Sequence, residues 1–380
     1  MEQTITQFNK LLQNFRDFKN FKDLTVNSIE DIKKIPFTTR KDLETWKIDQ
    51  CPEKPLYILN TSGTHGSATM LYVSKESYEK RAERMKKILE TVEVSKDYPV
   101  ISLLDFPVFQ TIFESCGYSN IYVGELTSDN KPLIIKKILK NKPHFLFAFN
   151  STIYDLLTEI KRMGRQIPFK KICFTGTQIT QEFKDNIRSM CSAELYDTYG
   201  TSELAAFAVE EKEDDGWLLL LDEYVHFEIL TLKNEIVGEG KGKLVLTDLY
   251  NFSMPIVRYL LGDYVEIKKK YGKRYIKMIE RYGDYLNLEG DIYSKFHVIK
   301  KMIKVLGHDK FMIIIDNDRV TLHDKLEIHL QKKDFEKKDT IRKMISQWYD
   351  INEISFTEFI QEKRSAHGKR INVIDKRFKG

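Results

Sequence analysis

Thr61-Ser62-Gly63-Thr64-His65-Gly66-Ser67 sets glycines, hydroxyls and one imidazole between two apolar runs, Leu56-Tyr57-Ile58-Leu59 and Met70-Leu71-Tyr72-Val73. Glycines let a backbone fold closely around an anion, and successive N–H groups with hydroxyls supply neutral donors to phosphate oxygens. The stretch reads as a flexible phosphate cradle between two strands. It is not of the Walker type, because the Gly-Lys-Ser/Thr ending is missing. Taken alone, the same residues also make an ordinary polar hairpin turn.

Upstream, the first 50 residues read as short helices with an extended Ile35-Pro36-Phe37-Thr38-Thr39, and Thr39 is placed to cap a helix starting at Arg40. Downstream, from about 70 to 200, strand alternates with helix. Val100–Leu104, Phe145–Phe149, Lys171–Thr175 and Glu194–Asp197 are the strand candidates, with helices expected near 151–163 and 180–190. That alternation predicts an α/β layer with a mainly parallel sheet. Ligands bind such sheets beyond the strand C-termini, where Gly176-Thr177-Gln178 and Thr198-Tyr199-Gly200-Thr201 lie.

From 217 to 280 the pattern turns to β, with candidates Trp217–Leu221, Val225–Leu230, Lys243–Thr247, Asp263–Lys268 and Arg274–Ile279, expected to pair antiparallel. The last 96 residues read as an α+β unit. A helix near 294–306 is followed by Phe311–Ile315, Leu326–Leu330, a helix near 335–349 and Ile354–Phe359. The expected fold is therefore α/β. A large N-terminal domain with mainly parallel sheet layers and a β-rich subdomain covers 1–283, and a small α+β C-terminal domain covers 284–380.

The chain has 380 residues, 42% hydrophobic and 31% charged, which fits a globular protein of two domains. No stretch approaches the roughly 20 apolar residues that span a bilayer. Met1 to Lys19 is polar without an apolar secretory core, so a cytoplasmic location is expected. Cys51, Cys116, Cys173 and Cys191 form no C-x-x-C pair, so reduced structural thiols are expected rather than a zinc site. Residues 285–380 carry 20 Lys and Arg against 15 Asp and Glu, which is the whole of the net +5. Such a segment attracts a phosphate-bearing partner, or is simply a solvated lysine-rich face. No aromatic–basic motif or recognition helix points to nucleic acid.

Further islands accompany the first loop. Tyr196-Asp197-Thr198-Tyr199-Gly200-Thr201-Ser202-Glu203 offers an aromatic ring, a glycine turn, hydroxyls and a carboxylate. A hard Mg²⁺ ion takes one or two carboxylates plus phosphate oxygens, and Glu203 can supply one. Asp248 and Met254–Asp263 follow, with Asp263 behind Gly262 at a strand edge, able to accept from two ribose hydroxyls.

Together and in this order, the islands resemble the adenylate-forming acyl/aryl ligase superfamily, in its phenylacetate–CoA ligase-like branch. The resemblance runs from about Ile35 to the C-terminus. Thr61–Thr69 matches the family's phosphate loop, and Tyr199-Gly200-Thr201-Ser202-Glu203 its Y-G-x-[ST]-E motif. Leu244–Asp248 through Met254–Tyr259 and Gly262-Asp263 match the next block. Arg281 and Asp284 fall where the family has an arginine and a hinge residue, and Arg364-Ser365 with Gly368-Lys369 matches the catalytic-lysine motif. The chain departs from the pattern at His65, at Ala68 in place of proline, and at Glu289-Gly290 in place of Arg-Gly.

The resemblance implies two half-reactions: a carboxylate and ATP give an acyl-adenylate and pyrophosphate, and a thiol or amine then takes the acyl group. Thr61, Ser62, Gly63, Thr64, His65 and Gly66 would bind ATP, with Gly176, Thr177, Gln178, Gly200, Thr201 and Ser202. Tyr199 would stack on adenine, Asp197 accept from its amino group, Asp263 hold the ribose, and Arg281 reach ribose or phosphate. Glu203 would ligate Mg²⁺, Lys369 would be the catalytic cation, and Asp284 the hinge. Phe106, Phe109, Phe149 and Gly176 would line the acyl pocket. Each phenylalanine also reads as core, and His65 also reads as a turn residue. The implied substrate is a small carboxylic acid and the acceptor coenzyme A. The alternatives are a phosphopantetheine on an acyl carrier protein, an amine, or no catalysis at all in a nucleotide-binding regulator.

Overall fold

The computed structural model describes residues 2–60, 69–104, 107–123, 126–127, 129–176, 179–211, 216–281, 285–288, 291–317, 324–347, 353–359 and 372–376. At the N-terminus, α1 (Glu2–Asn14) buries Phe8, Leu11 and Leu12, the spacing of one helical face. The short α2 (Ile29–Ile32) and α3 (Arg40–Thr45) follow. Thr39 precedes α3 as expected, its N–H and hydroxyl both donating to the Asp42 carboxylate at 2.7 and 2.6 Å. Then β1 (Tyr57–Asn60) and β2 (Met70–Val73) pair antiparallel, with Asn60 opposite Met70. That register draws together the two ends of the 61–68 loop. The loop itself lies outside the described residues.

Next comes α4 (Lys75–Thr91), whose first turn is capped by the Ser74 hydroxyl accepting from the Ser77 N–H. The alternating part then runs β3 (Val100–Ser102), α5 (Pro107–Ser115), β4 (Asn120–Tyr122), α6 (Lys131–Asn141), β5 (Phe145–Phe149), α7 (Asn150–Arg162), β6 (Lys171–Thr175), α8 (Gln181–Arg188) and β7 (Glu194–Thr201). The strands β4, β3, β5, β6 and the first half of β7 pair in parallel. The central strands β3, β5 and β6 are buried along nearly their whole length, as strands covered by helices on both faces are. The antiparallel part is β8 (Ala205–Val209), β9 (Leu218–Leu220), β10 (Val225–Leu230), β11 (Ile236–Val237), β12 (Gly240–Asp248), β13 (Tyr259–Lys270) and β14 (Lys273–Arg281). Among the described residues, twelve strands share one hydrogen-bonded order, β11-β10-β12-β13-β14-β9-β8-β7-β6-β5-β3-β4.

The hairpin β15 (Tyr285–Leu288) and β16 (Asp291–Ser294) leads into α9 (Lys295–Leu306), β17 (Phe311–Asn317), β18 (Asp324–Leu330), α10 (Lys338–Ser346), β19 (Glu353–Glu358) and β20 (Val373–Asp375). These last four strands form a separate sheet in the order β19-β18-β17-β20. Val298, Met302, Ile303 and Leu306 of α9 join the apolar cluster that holds Phe183 and Ile187 of α8. Polar contacts flank that packing. Asn186 Nδ2 donates to the Gly307 carbonyl at 2.8 Å, Lys310 Nζ lies 3.2 Å from Asp155, and Lys333 Nζ donates to the Tyr154 hydroxyl at 2.9 Å. No helix among the described residues is long and apolar enough to cross a membrane.

Candidate active site

The strand β7 changes partners midway. Glu194 to Asp197 pair in parallel with β6, whereas Thr198 to Thr201 pair antiparallel with β8, the register shifting between Tyr199 and Gly200. A Cβ at Gly200 would sit 2.7 Å from the Ala205 carbonyl oxygen and 2.7 Å from Ala206 Cα. Only glycine lets the hairpin close this tightly. Ala205 then takes φ +60°, a left-handed residue closing a three-residue turn over Ser202, Glu203 and Leu204. The Y-G-x-[ST]-E island is thus one tight turn at the junction of the parallel and antiparallel halves.

Across from it stands β13. The Tyr199 hydroxyl donates to Asp263 Oδ2, and the Tyr259 hydroxyl donates to Glu203 Oε1 at 3.3 Å. Four strand positions separate β7 from β13 in the sheet order. Flat strands about 4.8 Å apart would hold them roughly 19 Å away. The sheet therefore curls, and its curl brings two sequence islands to one place. Asp263 also stands directly opposite Arg281 in the β13–β14 register. Asp263 is buried at 4% exposure and Glu203 at 9%.

The Tyr199 ring packs on Phe207, centroids 4.7 Å apart. Among the described residues, the Thr201 hydroxyl is shut off from solvent without a hydrogen-bond partner. On the parallel side, Phe149 ends β5 and Gly176 follows β6. Gly176 has φ +91°, and a Cβ there would meet Phe149 Cδ1 at 2.4 Å. The two residues expected to line one pocket are in contact.

Asp197 is held more tightly than its sequence context implied. Its backbone N–H donates to Glu210 Oε2 at 2.9 Å, and Lys184 Nζ donates to both Glu210 oxygens at 2.6 and 2.8 Å. Burial, then the neighbouring Glu210 charge, raises the Asp197 carboxyl to about 8, while Lys184 and the Ile179 N–H oppose the shift. At neutral pH this side chain favours its protonated form.

Sequence reasoning passed over a second set of residues. Arg81 and Arg84 of α4 are each 1% exposed. Arg81 Nη2 donates to the Glu203 carbonyl and Arg84 Nη2 to the Leu204 carbonyl. Arg81 Nε donates to Ser77 Oγ at 3.2 Å, Ser77 donates to Asp248 Oδ2 at 2.7 Å, and Arg81 Nη2 lies 3.5 Å from the same carboxylate oxygen. Asp248 is thereby committed to structure, 1% exposed. A legible signal existed: Tyr78, Arg81, Ala82, Met85, Ile88 and Leu89 share a helical stripe, and a cation on such a stripe needs an acceptor.

Thr61, Ser62, Gly63, Thr64, His65, Gly66, Phe106, Thr177, Gln178, Asp284 and Lys369 lie outside the described residues, and Arg281 and Phe109 are placed by backbone alone. Of the expected site residues that are placed, Tyr199, Gly200, Thr201, Ser202, Glu203 and Asp263 converge on the β7 turn.

No family model matches the chain. The crystal structure of 2-hydroxyisobutyryl-CoA ligase in the postadenylation state with 2-HIB-AMP superimposes with a TM-score of 0.74 at 15% identity, covering 98% of this chain and 89% of that one. The chain has the adenylate-forming ligase fold. Two curated relatives share sequence with it. Protein CapK of Staphylococcus aureus is 23% identical over 279 residues, 68% of this chain and 61% of CapK. The indoleacetate–lysine synthetase of Pseudomonas savastanoi is 23% identical over 283 residues, 69% of this chain and 68% of that protein. This chain thus spans just under two thirds of the length of CapK. Within the adenylate-forming fold, the β7 turn and β13 are where this chain gathers its hydroxyls and carboxylates.

The placed residues fit a Mg²⁺-bound nucleotide. Among the described residues no group of three or more His, Cys, Asp or Glu could hold a metal by itself. Mg²⁺ needs no such cage, since it takes one or two carboxylates and completes its shell with phosphate and water. Glu203 brings one carboxylate to the β7 turn, and the buried Thr201 hydroxyl beside it has no partner among the described residues.

Proposed function

We propose that this chain activates a small carboxylic acid with ATP and passes the acyl group to a thiol, coenzyme A. The observation that carries the reading is the convergence of the Tyr199–Asp263 and Tyr259–Glu203 contacts on one turn. In the first half-reaction a carboxylate oxygen of the acid attacks the α-phosphorus. The bond to the bridging oxygen breaks and pyrophosphate leaves. In the second, the thiol sulfur attacks the acyl carbonyl, AMP leaves, and the thiol proton passes to solvent or a base.

Asp263 holds the ribose and Tyr199 offers its ring to adenine, with Arg281 beside them. Asp197, neutral near pH 7, keeps a carbonyl oxygen to accept from the adenine amino group. Thr61, Ser62, Gly63, Thr64 and Gly66 donate to the β- and γ-phosphates. Glu203 holds Mg²⁺, which neutralises phosphate charge when bound. Lys369 brings carboxylate and α-phosphate together against their mutual repulsion. The acid lies against Phe149 and Gly176. Residues 1–283 and 284–380 act as two units, the smaller one carrying Lys369 and turning about Asp284 between half-reactions.

A second reading has one observation in its favour, the relative that joins indoleacetate to lysine, and replaces the thiol by an amine. Pyrophosphate release over a panel of small aliphatic and aryl acids tests the first step. Repeating it with coenzyme A, a holo carrier protein and lysine separates the acceptors. ATP binding without turnover on any acid would leave only a nucleotide-binding regulator.

A further inference from the structure

We propose that Arg81 and Arg84 are positioning residues, which clamp the turn carrying Glu203 and so set where that carboxylate meets a nucleotide-bound divalent cation. The inference rests on the nucleotide-site reading above. The two guanidinium groups donate to consecutive carbonyls of one turn, those of Glu203 and Leu204. They come from a helix far off in sequence, 122 and 120 residues from the carbonyls they hold.

Arg81 has a structural counter-charge in Asp248, 3.5 Å away, whereas no carboxylate stands within ion-pair distance of Arg84 among the described residues. Both side chains are almost fully buried and stand one helical turn apart, so their charges repel. Burial and the Arg81 charge together push Arg84 down to about 10, with Asp248 opposing. Arg81 Nη1 and Arg84 Nε and Nη1 have no hydrogen-bond partner among the described residues. Apolar side chains of similar volume commonly replace whole buried ion pairs with no loss of stability. The pair does hold the closing segment of a hairpin in which Ala205 sits at φ +60°. The Tyr259 hydroxyl holds the Glu203 carboxylate at one oxygen, at 3.3 Å, and the arginines hold the backbone that carries it. Mg²⁺ demands such fixed placement, with near-octahedral ligands at about 2.0–2.1 Å. Residues that orient a metal ligand typically change metal affinity by about 10–100-fold when removed.

The test compares wild type with Arg84→Met and Arg84→Lys, using the full chain. Calorimetric ATP binding is titrated across Mg²⁺ concentrations, and the melting temperature is recorded without ligand. Arg84→Met should stay folded, with a melting temperature lowered by no more than the loss of one hydrogen bond to the Leu204 carbonyl, while its Mg²⁺ half-saturation rises at least about 10-fold, and Arg84→Lys should recover part of the loss. A folded Arg84→Met with wild-type Mg²⁺ half-saturation overturns the assignment. So does a weakening of ATP binding that is the same at every Mg²⁺ concentration. Should Arg84→Met fail to fold, Arg84→Lys decides. It keeps the charge but loses the planar fork, so a wild-type half-saturation overturns the clamp and a several-fold rise supports it. Wild-type protein that binds no ATP with Mg²⁺ overturns the nucleotide reading itself, and this inference with it.

Discussion

The Tyr199 hydroxyl donates to Asp263 Oδ2 across 64 residues of sequence, joining the β7 turn to β13. A hydrogen bond to a charged group contributes about 1.5–3 kcal/mol. Tyr199→Phe keeps the ring and removes the donor. Its ATP KM should rise about 10-fold with kcat little changed. In a double-mutant cycle with Asp263→Asn the coupling should fall within about 0.5–3 kcal/mol. Strict additivity would mean that the two side chains do not act together on the nucleotide.

Gly176→Ala drives a methyl to within 2.4 Å of the Phe149 ring on a backbone at φ +91°. The expected cost is about 1–3 kcal/mol of stability, seen in urea melts. The KM for the acid should rise more than that for ATP. In a Phe149→Leu background the added penalty should shrink. An unchanged penalty there would place the strain in the backbone alone.

Asp197 gives the fold a pH dependence with a definite sign. Its carboxyl moves from 3.8 when unfolded to about 8 when folded, through burial first and Glu210 second. Its proton therefore stabilises the native state fully below about pH 4, and that contribution is lost as pH rises through about 8. Asp197→Asn cannot titrate. Its stability should vary less than that of wild type between those limits, measured by urea unfolding at several pH values. Equal slopes would assign the effect to other groups.

Lys184 and Glu210 are 7% and 3% exposed and bonded through both carboxylate oxygens. Lys184→Met alone leaves a buried carboxylate beside Asp197, at a cost of about 3–5 kcal/mol. Lys184→Met with Glu210→Leu should recover most of it. A double variant as unstable as the single one would show that Glu210 matters chiefly for the Asp197 N–H.

Lys369→Ala should lower pyrophosphate release by about 10²–10³-fold while ATP affinity stays within twofold. Pyrophosphate release near the wild-type rate would remove this lysine from the first step.

Much of the architecture is legible locally. Lys171–Thr175 and Phe145–Phe149 are apolar runs with turn signals after them, and both are strands over those same residues. The strand starting at Glu194 reads as ending at Asp197, yet runs to Thr201. Its polar second half lacks the apolar signal because it is stabilised by ladder bonds to β8. The helix Lys75–Thr91 escapes a simple reading because charged residues interrupt its apolar stripe. The strand Val373–Asp375 is too short for any period to register, and forms by parallel pairing with β17.

By itself the amino-acid order determined most of the central strands and helices, such as Phe145–Phe149 and Lys171–Thr175, and which islands resemble a nucleotide-binding pattern. Those properties depend on residues a few positions apart, and a period of 2 or 3.6 records them. Tertiary structure alone decided that Tyr199 meets Asp263, that Arg81 and Arg84 reach the Glu203 turn, and that Asp197 shares its surroundings with Glu210 and Lys184. Those contacts depend on strand order and on the curl of one sheet, which no local window of sequence contains.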